Sequence, residues 1–382
     1  MCKIILAFDK FKGSATSREI AQAAQQGIAQ TVPGAQVTAL PVADGGEGTV
    51  EAIASSLPQA RTHTVRVCAP LPGLPPVEAQ YIVDETSHTA VMELSAASGL
   101  TLVPRAQRNV MQASTRGTGM MIAHAIMQEG CRHIVVGLGG SATADCATGL
   151  LSALGFDFLD AQGRSVAPCG AGLASIDSID SIDSSKVPAQ VRHTRFTIFA
   201  DVDNPLLGPE GAARTFAPQK GATPRQVELL EAGARNLARL MPAGTASRPG
   251  AGAAGGTGAG MMAWLDCEML PGAQAVLDFL KFDEKIKGAS LILTGEGRID
   301  AQTAMGKTPA AVLKAGHRQG TPVVALCGTL DTGIDVDTLG FDAVLPIVAG
   351  PTTLAQAIDR DTCLRNVERT VAQVMKLLKL TI

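Results

Sequence analysis

Residues 3–8, Lys-Ile-Ile-Leu-Ala-Phe, form an unbroken β-prone run that ends in the polar turn Asp9–Ser14 and passes into an Ala/Gln-rich helical stretch from Ser17 to Gln30. The same order then repeats. A strand over Gln36–Val42 leads into Ala43-Asp44-Gly45-Gly46-Glu47-Gly48-Thr49, and a helix resumes over Thr49–Ser56. Strand, glycine-acid loop and helix in succession are the βαβα half of a parallel sheet, and few other architectures accept that pattern.

The texture changes near residue 62. Thr62–Cys68, Val77–Val83 and Thr89–Leu94 are β-type runs joined by Pro/Gly turns without a helix between them, which predicts antiparallel strands of a different domain. Helices are expected over Gly117–Gln128, Ala142–Leu154 and Pro224–Met241, with strands at His133–Gly137 and Phe196–Ala200. The triplet Ile-Asp-Ser, repeated from Ile176 to Ser184, fits neither period and reads as a solvated surface excursion. Gly250–Gly260 reads as a tight turn and a closely packed helix. After about residue 285 the alternation returns: strand Ser290–Thr294, helix 309–318, strands Pro322–Cys327 and Ala343–Val348, and a terminal amphipathic helix Thr353–Leu380. The expected fold is α/β: a Rossmann-like parallel-sheet domain from 1–62 and 285–382, with a second, mixed α/β domain inserted at 63–284.

Composition narrows the function. Hydrophobic residues make up 46% of the 382, but aromatics only 3%, so the core is built of small aliphatics and offers no stacking platform for nucleic acid. A net charge of −3 provides no global field for a polyanion, which argues against nucleic acid and membrane surfaces as partners. The apolar run after Met1 is too short for a signal peptide, and glycine and proline interrupt the longer charge-free stretches, so a cytoplasmic protein is expected. Eight scattered cysteines without a C-x-x-C pair read as reduced, buried small hydrophobes, and the six histidines lack metal-ligand spacing. Homo-oligomerisation is compatible with all of this.

The glycine-rich, acid-bearing loops at 43–49, 137–145, 201–208 and 295–300 each follow an expected strand. In α/β folds ligands sit beyond the carboxyl ends of the strands, where free amides and helix N-termini gather. Gly137-Leu138-Gly139-Gly140-Ser141-Ala142-Thr143-Ala144-Asp145 lets the backbone approach an anion and adds two hydroxyl donors. It also fits a loose G-x-G-x-x-A dinucleotide fingerprint, though mid-chain rather than opening a Rossmann unit. The stretch Ala301 to Thr308 would be a Walker A motif but for Ala301 in place of the first glycine, and is rejected as a P-loop. Thr308 as N-cap with Pro309 after it still makes a helix start with Lys307 beside it, suited to phosphate. Asp9-Lys10-Phe11-Lys12-Gly13-Ser14 sets an acid and two lysines at the end of the first strand. Asp201 and Asp203 can share a metal only if the chain turns there, as Pro205 suggests.

Taken in order, Phe8–Ser14, Pro41–Thr49, Gly139–Thr143, Asp201–Leu206, Pro218–Ala222, Gly252–Gly256 and Thr294–Asp300 resemble the signature string of the type 1 bacterial glycerate kinases, over most of the chain. The resemblance implies ATP-dependent phosphorylation of D-glycerate with Mg²⁺, mainly at the 2-hydroxyl. One departure stands out: after Asp145 the family usually continues Gly-Gly, whereas this chain has Cys146-Ala147.

Phosphoryl transfer asks a protein for alignment, a metal across the phosphates and charge on the transferring group. On the resemblance, Asp44, Asp201 and Glu296 are the expected Mg²⁺ or water-shell ligands, since hard oxygens suit that ion. Asp203 and Asp145 are the expected bases for the substrate hydroxyl. Gly139, Gly140, Ser141 and Thr143 would cradle phosphates, with Ser14, Gly45, Gly46, Gly255, Gly256 and Lys307 added to the binding set. Lys10, Lys12, Lys220 and Arg298 would hold the carboxylate or the moving phosphoryl group, Arg298 as a two-pronged carboxylate contact. The alternatives are a glycerate 3-kinase or a kinase of another small hydroxy acid, a nicotinamide-dependent oxidoreductase using loop 137–142, and a nucleotide-binding regulatory module.

Overall fold

The computed structural model describes residues 2–57, 59–174, 180–300, 303 and 307–379. Its strands are β1 (Lys3–Phe8), β2 (Gln36–Ala39), β3 (Ala60–Val67), β4 (Val77–Asp84), β5 (Thr89–Glu93), β6 (His133–Gly137), β7 (Asp157–Leu159), β8 (Ser181–Asp183), β9 (Arg195–Ala200), β10 (Cys267–Pro271), β11 (Leu291–Ile299), β12 (Val323–Leu330) and β13 (Ala343–Pro346). The chain divides into two compact units. The first holds the chain up to Asp44, Glu51–Ser56 and everything from Ala273; the second holds Gly45–Val50 and Leu57–Gly272.

The first unit is built on a five-stranded sheet in the order β13-β12-β11-β1-β2, parallel throughout. Ile4, Leu6 and Phe8 are buried on one face under the helices Ser17–Thr31 and Arg360–Lys379. On the other face Ile292 and Val323 lie against Gly316 of the helix Thr308–Arg318. Both faces are covered, which is why β1 reads as an uninterrupted apolar run. The Ser17–Thr31 helix starts at a capping box, in which the Thr16 hydroxyl accepts from Glu19 N and the Glu19 carboxylate accepts from Thr16 N. β1 leads by its helix to β2 on one side, and β11 leads by its helix to β12 on the other. The strand order therefore reverses between β1 and β11, the topological switch point of a doubly wound sheet.

The second unit carries a six-stranded sheet in the order β10-β9-β6-β5-β4-β3. β3, β4 and β5 are antiparallel, as their helix-free turns predict, and β5, β6, β9 and β10 run parallel. Its core is aliphatic, with Val91, Val135 and Ile198 wholly buried. β3 already pairs with β4 from Ala60, so the second sheet begins before residue 62. At the other end, residues before 285 go with the first unit: Arg318 pairs with Asp283 at 2.9 Å, and the Lys3 ammonium donates to the Lys285 carbonyl at 2.8 Å.

Several local expectations need correction. The helix expected over Ala142–Leu154 is only Thr148–Ala153, because Cys146 and Ala147 take left-handed backbone at φ 50° and 66°. The strand starting near Ser290 runs on to Ile299, so Gly295-Glu296-Gly297-Arg298 is strand rather than loop. The terminal helix is two helices, Leu354–Ala357 and Arg360–Lys379, divided where Asp359 accepts from Thr362 N at 2.9 Å. Of the Ile-Asp-Ser repeat, 175–179 lie outside the described residues, and Ser181–Asp183 is a strand paired with β7. Gly250–Gly260 does hold a turn and a packed helix, Ala253–Trp264, kinked at Ala254–Gly256.

The helices Ser17–Thr31 and Arg360–Lys379 meet at Gly27, where a Cβ would run into the Glu368 carbonyl oxygen. Gly27→Val should therefore cost about 2–3 kcal/mol, the upper part of the range for overpacking, because backbone cannot step aside as a side chain can. Urea unfolding checks this, with kcat and KM expected to stay at wild-type values.

Candidate active site

In the first unit the charged residues collect at the carboxyl ends of the strands beside the switch point. Asp9 follows β1, and its amide donates to the Gly295 carbonyl of β11 at 3.0 Å. Its side chain is buried, with Oδ2 accepting from the Thr308 hydroxyl at 3.0 Å and Oδ1 from Lys10 N at 2.7 Å. Burial, then the nearby Asp44 carboxylate, push the Asp9 carboxyl up to about 7 against the opposing pull of Lys10. Lys307, not Thr308, is the N-cap of the helix Thr308–Arg318. Thr308 thus sits one place inside the helix, and its hydroxyl is free to bond Asp9.

Glu296 lies on β11, one residue beyond Gly295. Its Oε1 accepts from the Thr303 hydroxyl at 2.7 Å, and the Lys307 ammonium stands 3.6 Å from Oε2 and equally 3.6 Å from Asp300. Burial raises the Glu296 carboxyl above its ordinary value, opposed by Thr303 and Lys307. Gly297 runs beside the Lys12 backbone, where a Cβ would stand 3.3 Å from the amide nitrogen, and Lys12 itself is exposed. Ser14 lies beside the Cys363 thiol. Ala301 and Gly306 of the near-Walker stretch lie outside the described residues. Asp44, Asp9, Lys10, Thr308, Lys307, Asp300 and Glu296 thus line one acidic, lysine-edged rim.

Two expectations change. Arg298 is exposed and already paired, with Asp331 at 2.6 Å and Asp300 at 3.7 Å, so a substrate carboxylate would compete with both for its guanidinium. Asp9, which heads the lysine turn and has no role assigned by the resemblance, belongs to this rim. The signal was an acid directly after the central strand, and its link to Thr308 spans nearly the whole sequence.

In the second unit the loop after β6 is the focus. Gly140, at φ 70°, is exposed, while Ser141 to Ala147 are buried. Among the described residues nothing accepts a hydrogen bond from the backbone N–H groups of Gly139, Gly140, Ser141, Thr143 or Ala144. A run of unused amides on a glycine loop is an anion site in chemical terms.

Around it the expected ligand contacts turn out to be scaffolding. Gly45 and Gly46 are buried, and a Cβ on Gly139 would strike the Gly46 Cα, so these glycines serve close backbone packing. Gly255 and Gly256, at φ 68° and 86°, press on Thr143–Cys146, and the Cys146 amide donates to the Gly255 carbonyl at 3.2 Å. Asp145 has no exposed surface: Oδ2 accepts from Thr115 N at 2.8 Å, Thr115 Oγ1 at 2.9 Å and Gly149 N at 3.2 Å. A carboxylate so enclosed ties the loop to its surroundings and has no open face in this structure. Lys220 is likewise buried, its ammonium donating to Ser141 Oγ at 2.7 Å and to the Thr143 carbonyl at 2.6 Å. It backs the loop rather than reaching a phosphate. Beyond β9 the chain leaves the strand, with Asp201 half-buried, Asp203 exposed, and Asn204 donating to the Glu210 carbonyl at 2.7 Å.

Comparison with known proteins identifies the family. The family model described as the glycerate kinase family matches residues 4–379. A glycerate kinase of Halalkalibacterium halodurans is 40% identical over 380 residues, 98% of each chain. A glycerate 2-kinase of Escherichia coli K12 is 38% identical over 361 residues, 93% of each. The solved structure of a Salmonella typhimurium LT2 protein described as a glycerate kinase 2 superposes with a TM-score of 0.82 at 37% identity, covering 100% of this chain and 99% of that one. The fold and its charged loops define a small-molecule kinase. The chain belongs to the glycerate kinase family, and the oxidoreductase alternative falls with that assignment.

Burial lowers the Lys220 ammonium to about 7, with Asp145 and Cys146 opposing the shift. The folded chain thus releases this proton near pH 7, whereas the unfolded chain keeps it to about 10.4. Between those values the unfolded state binds more protons, so Lys220 makes stability rise with pH, most clearly from pH 7 to 8.5. Lys220→Met should remove that rise, read as the difference in urea midpoint between variant and wild type across this window.

Proposed function

We propose that the protein transfers the terminal phosphoryl group of ATP, with Mg²⁺, to the 2-hydroxyl of D-glycerate, giving 2-phospho-D-glycerate and ADP. The observation that carries this reading is the loop holding the unused amides of Gly139, Gly140, Ser141, Thr143 and Ala144 in a chain of this family, since such a loop is chemically suited to a phosphate tail. The 2-position is supported by the Escherichia coli relative named for it.

Among the described residues no three His, Cys, Asp or Glu side chains gather as a self-sufficient metal cage. Mg²⁺ rarely needs one, taking one or two carboxylates with waters and substrate phosphates. The buried Asp9 carboxylate with Asp44 close by suits a cation, because the neighbouring like charge raises the energy of ionised Asp9. Asp44 and Glu296 would hold the ion or its water shell, with Asp201 as the second unit's half-buried candidate. When bound, the metal neutralises charge building on the phosphates. Lys10, Lys12 and Lys307 orient the glycerate carboxylate and the moving phosphoryl group. Of the two carboxylates expected to take the hydroxyl proton, Asp203 is the exposed one and receives it. A cytoplasmic location is part of the reading, supported by cysteines that are all free thiols.

Phosphorus NMR of the product from D-glycerate and ATP reads activity and position together: a signal for the 2-phosphate is expected, and a 3-phosphate would overturn the regiochemistry. Asp44→Asn and Glu296→Gln should each lower kcat by about two orders of magnitude with the thermal midpoint retained, the scale seen when one preorganised charge is lost from such a centre. Wild-type kcat in both would remove them from the metal set.

A further inference from the structure

Lys220 presents a physical problem: a lysine ammonium is buried, yet among the described residues it has no carboxylate within 4.0 Å and only two oxygen partners, Ser141 Oγ and the Thr143 carbonyl. A buried cation without a counter-charge is costly to keep. Both partners lie on the loop of unused amides, and the directions of their bonds have consequences. Ser141 Oγ accepts the lysine proton, which leaves the hydroxyl's own hydrogen to be donated elsewhere. The Thr143 carbonyl points at the ammonium, and in a trans peptide the following N–H points the opposite way. Lys220 therefore turns the Ala144 N–H away from itself. On its other side the Thr143 carbonyl lies against the Gly255 backbone, closer than a residue with a Cβ would allow. Lys220 itself is held in place by Gly221, at φ 95°, whose backbone packs on Arg108.

We propose that Lys220 is the positioning residue of the phosphate loop: it holds Ser141 and Thr143 so that the free N–H groups and the Ser141 hydroxyl are presented together, and it places a positive charge behind the loop without touching the nucleotide. The inference rests on the reading that this loop takes the phosphates of ATP. An anion on the outer side of the loop would add to the stabilisation that Asp145 gives the ammonium from a distance.

Equilibrium binding of the non-hydrolysable analogue AMP-PNP with Mg²⁺ tests it on the whole protein, alongside D-glycerate binding measured separately. Lys220→Met should weaken AMP-PNP at least tenfold and leave D-glycerate within twofold, whereas Lys220→Arg should recover part of the loss. Equal losses for both ligands would mean general damage and overturn the proposal, as would unchanged AMP-PNP affinity. If wild type itself fails to bind AMP-PNP, the nucleotide reading of the loop fails instead, and the proposal with it. Should Lys220→Met not fold, wild type supplies a second measurement. The charged groups around the ammonium are Asp145 and Cys146 on the loop, Glu231 near Cys146 on the helix Pro224–Ala238, and Arg108 under Gly221. None of these gains the new anion's field as directly as Lys220 does. AMP-PNP binding at pH 8 should then take up a fraction of a proton, seen as a binding enthalpy that varies with the buffer's ionisation enthalpy. An enthalpy independent of buffer would overturn the proposal.

Discussion

The second unit depends on one buried carboxylate. Asp145 accepts from Thr115 twice and from the Gly149 amide, and the Thr115 hydroxyl in turn accepts from Leu150 N at 2.9 Å. That network pins the end of the β6 loop to the start of the Arg116–Met127 helix and to the Thr148–Ala153 helix. A charge with no exposure can persist only while its donors remain in place. The loop is consequently rigid where it meets the core, while Gly139 and Gly140 are left at the surface with their amides unspent.

Close backbone packing makes this arrangement possible. Gly46 lies under Gly139, and Gly255 and Gly256 lie against Thr143 and Cys146, at separations no Cβ would tolerate. Cys146 and Ala147 occupy left-handed backbone without being glycines, where the family usually has Gly-Gly. Left-handed backbone costs a residue with a Cβ roughly 1–2 kcal/mol. In this chain the Asp145 network and the Gly255 contact hold both residues in that backbone.

The first unit solves a different problem. Its parallel sheet brings the ends of β1 and β11 side by side, and the carboxylates of Asp9, Asp44 and Glu296 gather there with Lys307 and the start of a helix. Burial disfavours the ionised form of Asp9 and Glu296, which is the state a nearby cation would relieve. The two clusters are chemically complementary, one rich in carboxylate and lysine, the other in amide hydrogen.

The layered α/β class was legible from the sequence, because strand and helix periodicities are local and the glycine-acid loops recur behind them. The glycine-acid loops were legible too, since each stands behind a strand, where ligands of such folds gather. What each residue does within those loops was not legible. Asp145, expected as a base, and Lys220, expected at a phosphate or carboxylate, are both buried, because burial depends on residues far along the chain: Thr115 encloses the one, while Ser141 and Thr143 receive the other. Asp9 became part of the site only through Thr308, brought to it by the pairing of β1 with β11. Local patterning decides which elements form, whereas exposure, pairing and proton affinity are set by whatever the fold brings alongside, and only the tertiary structure decides that.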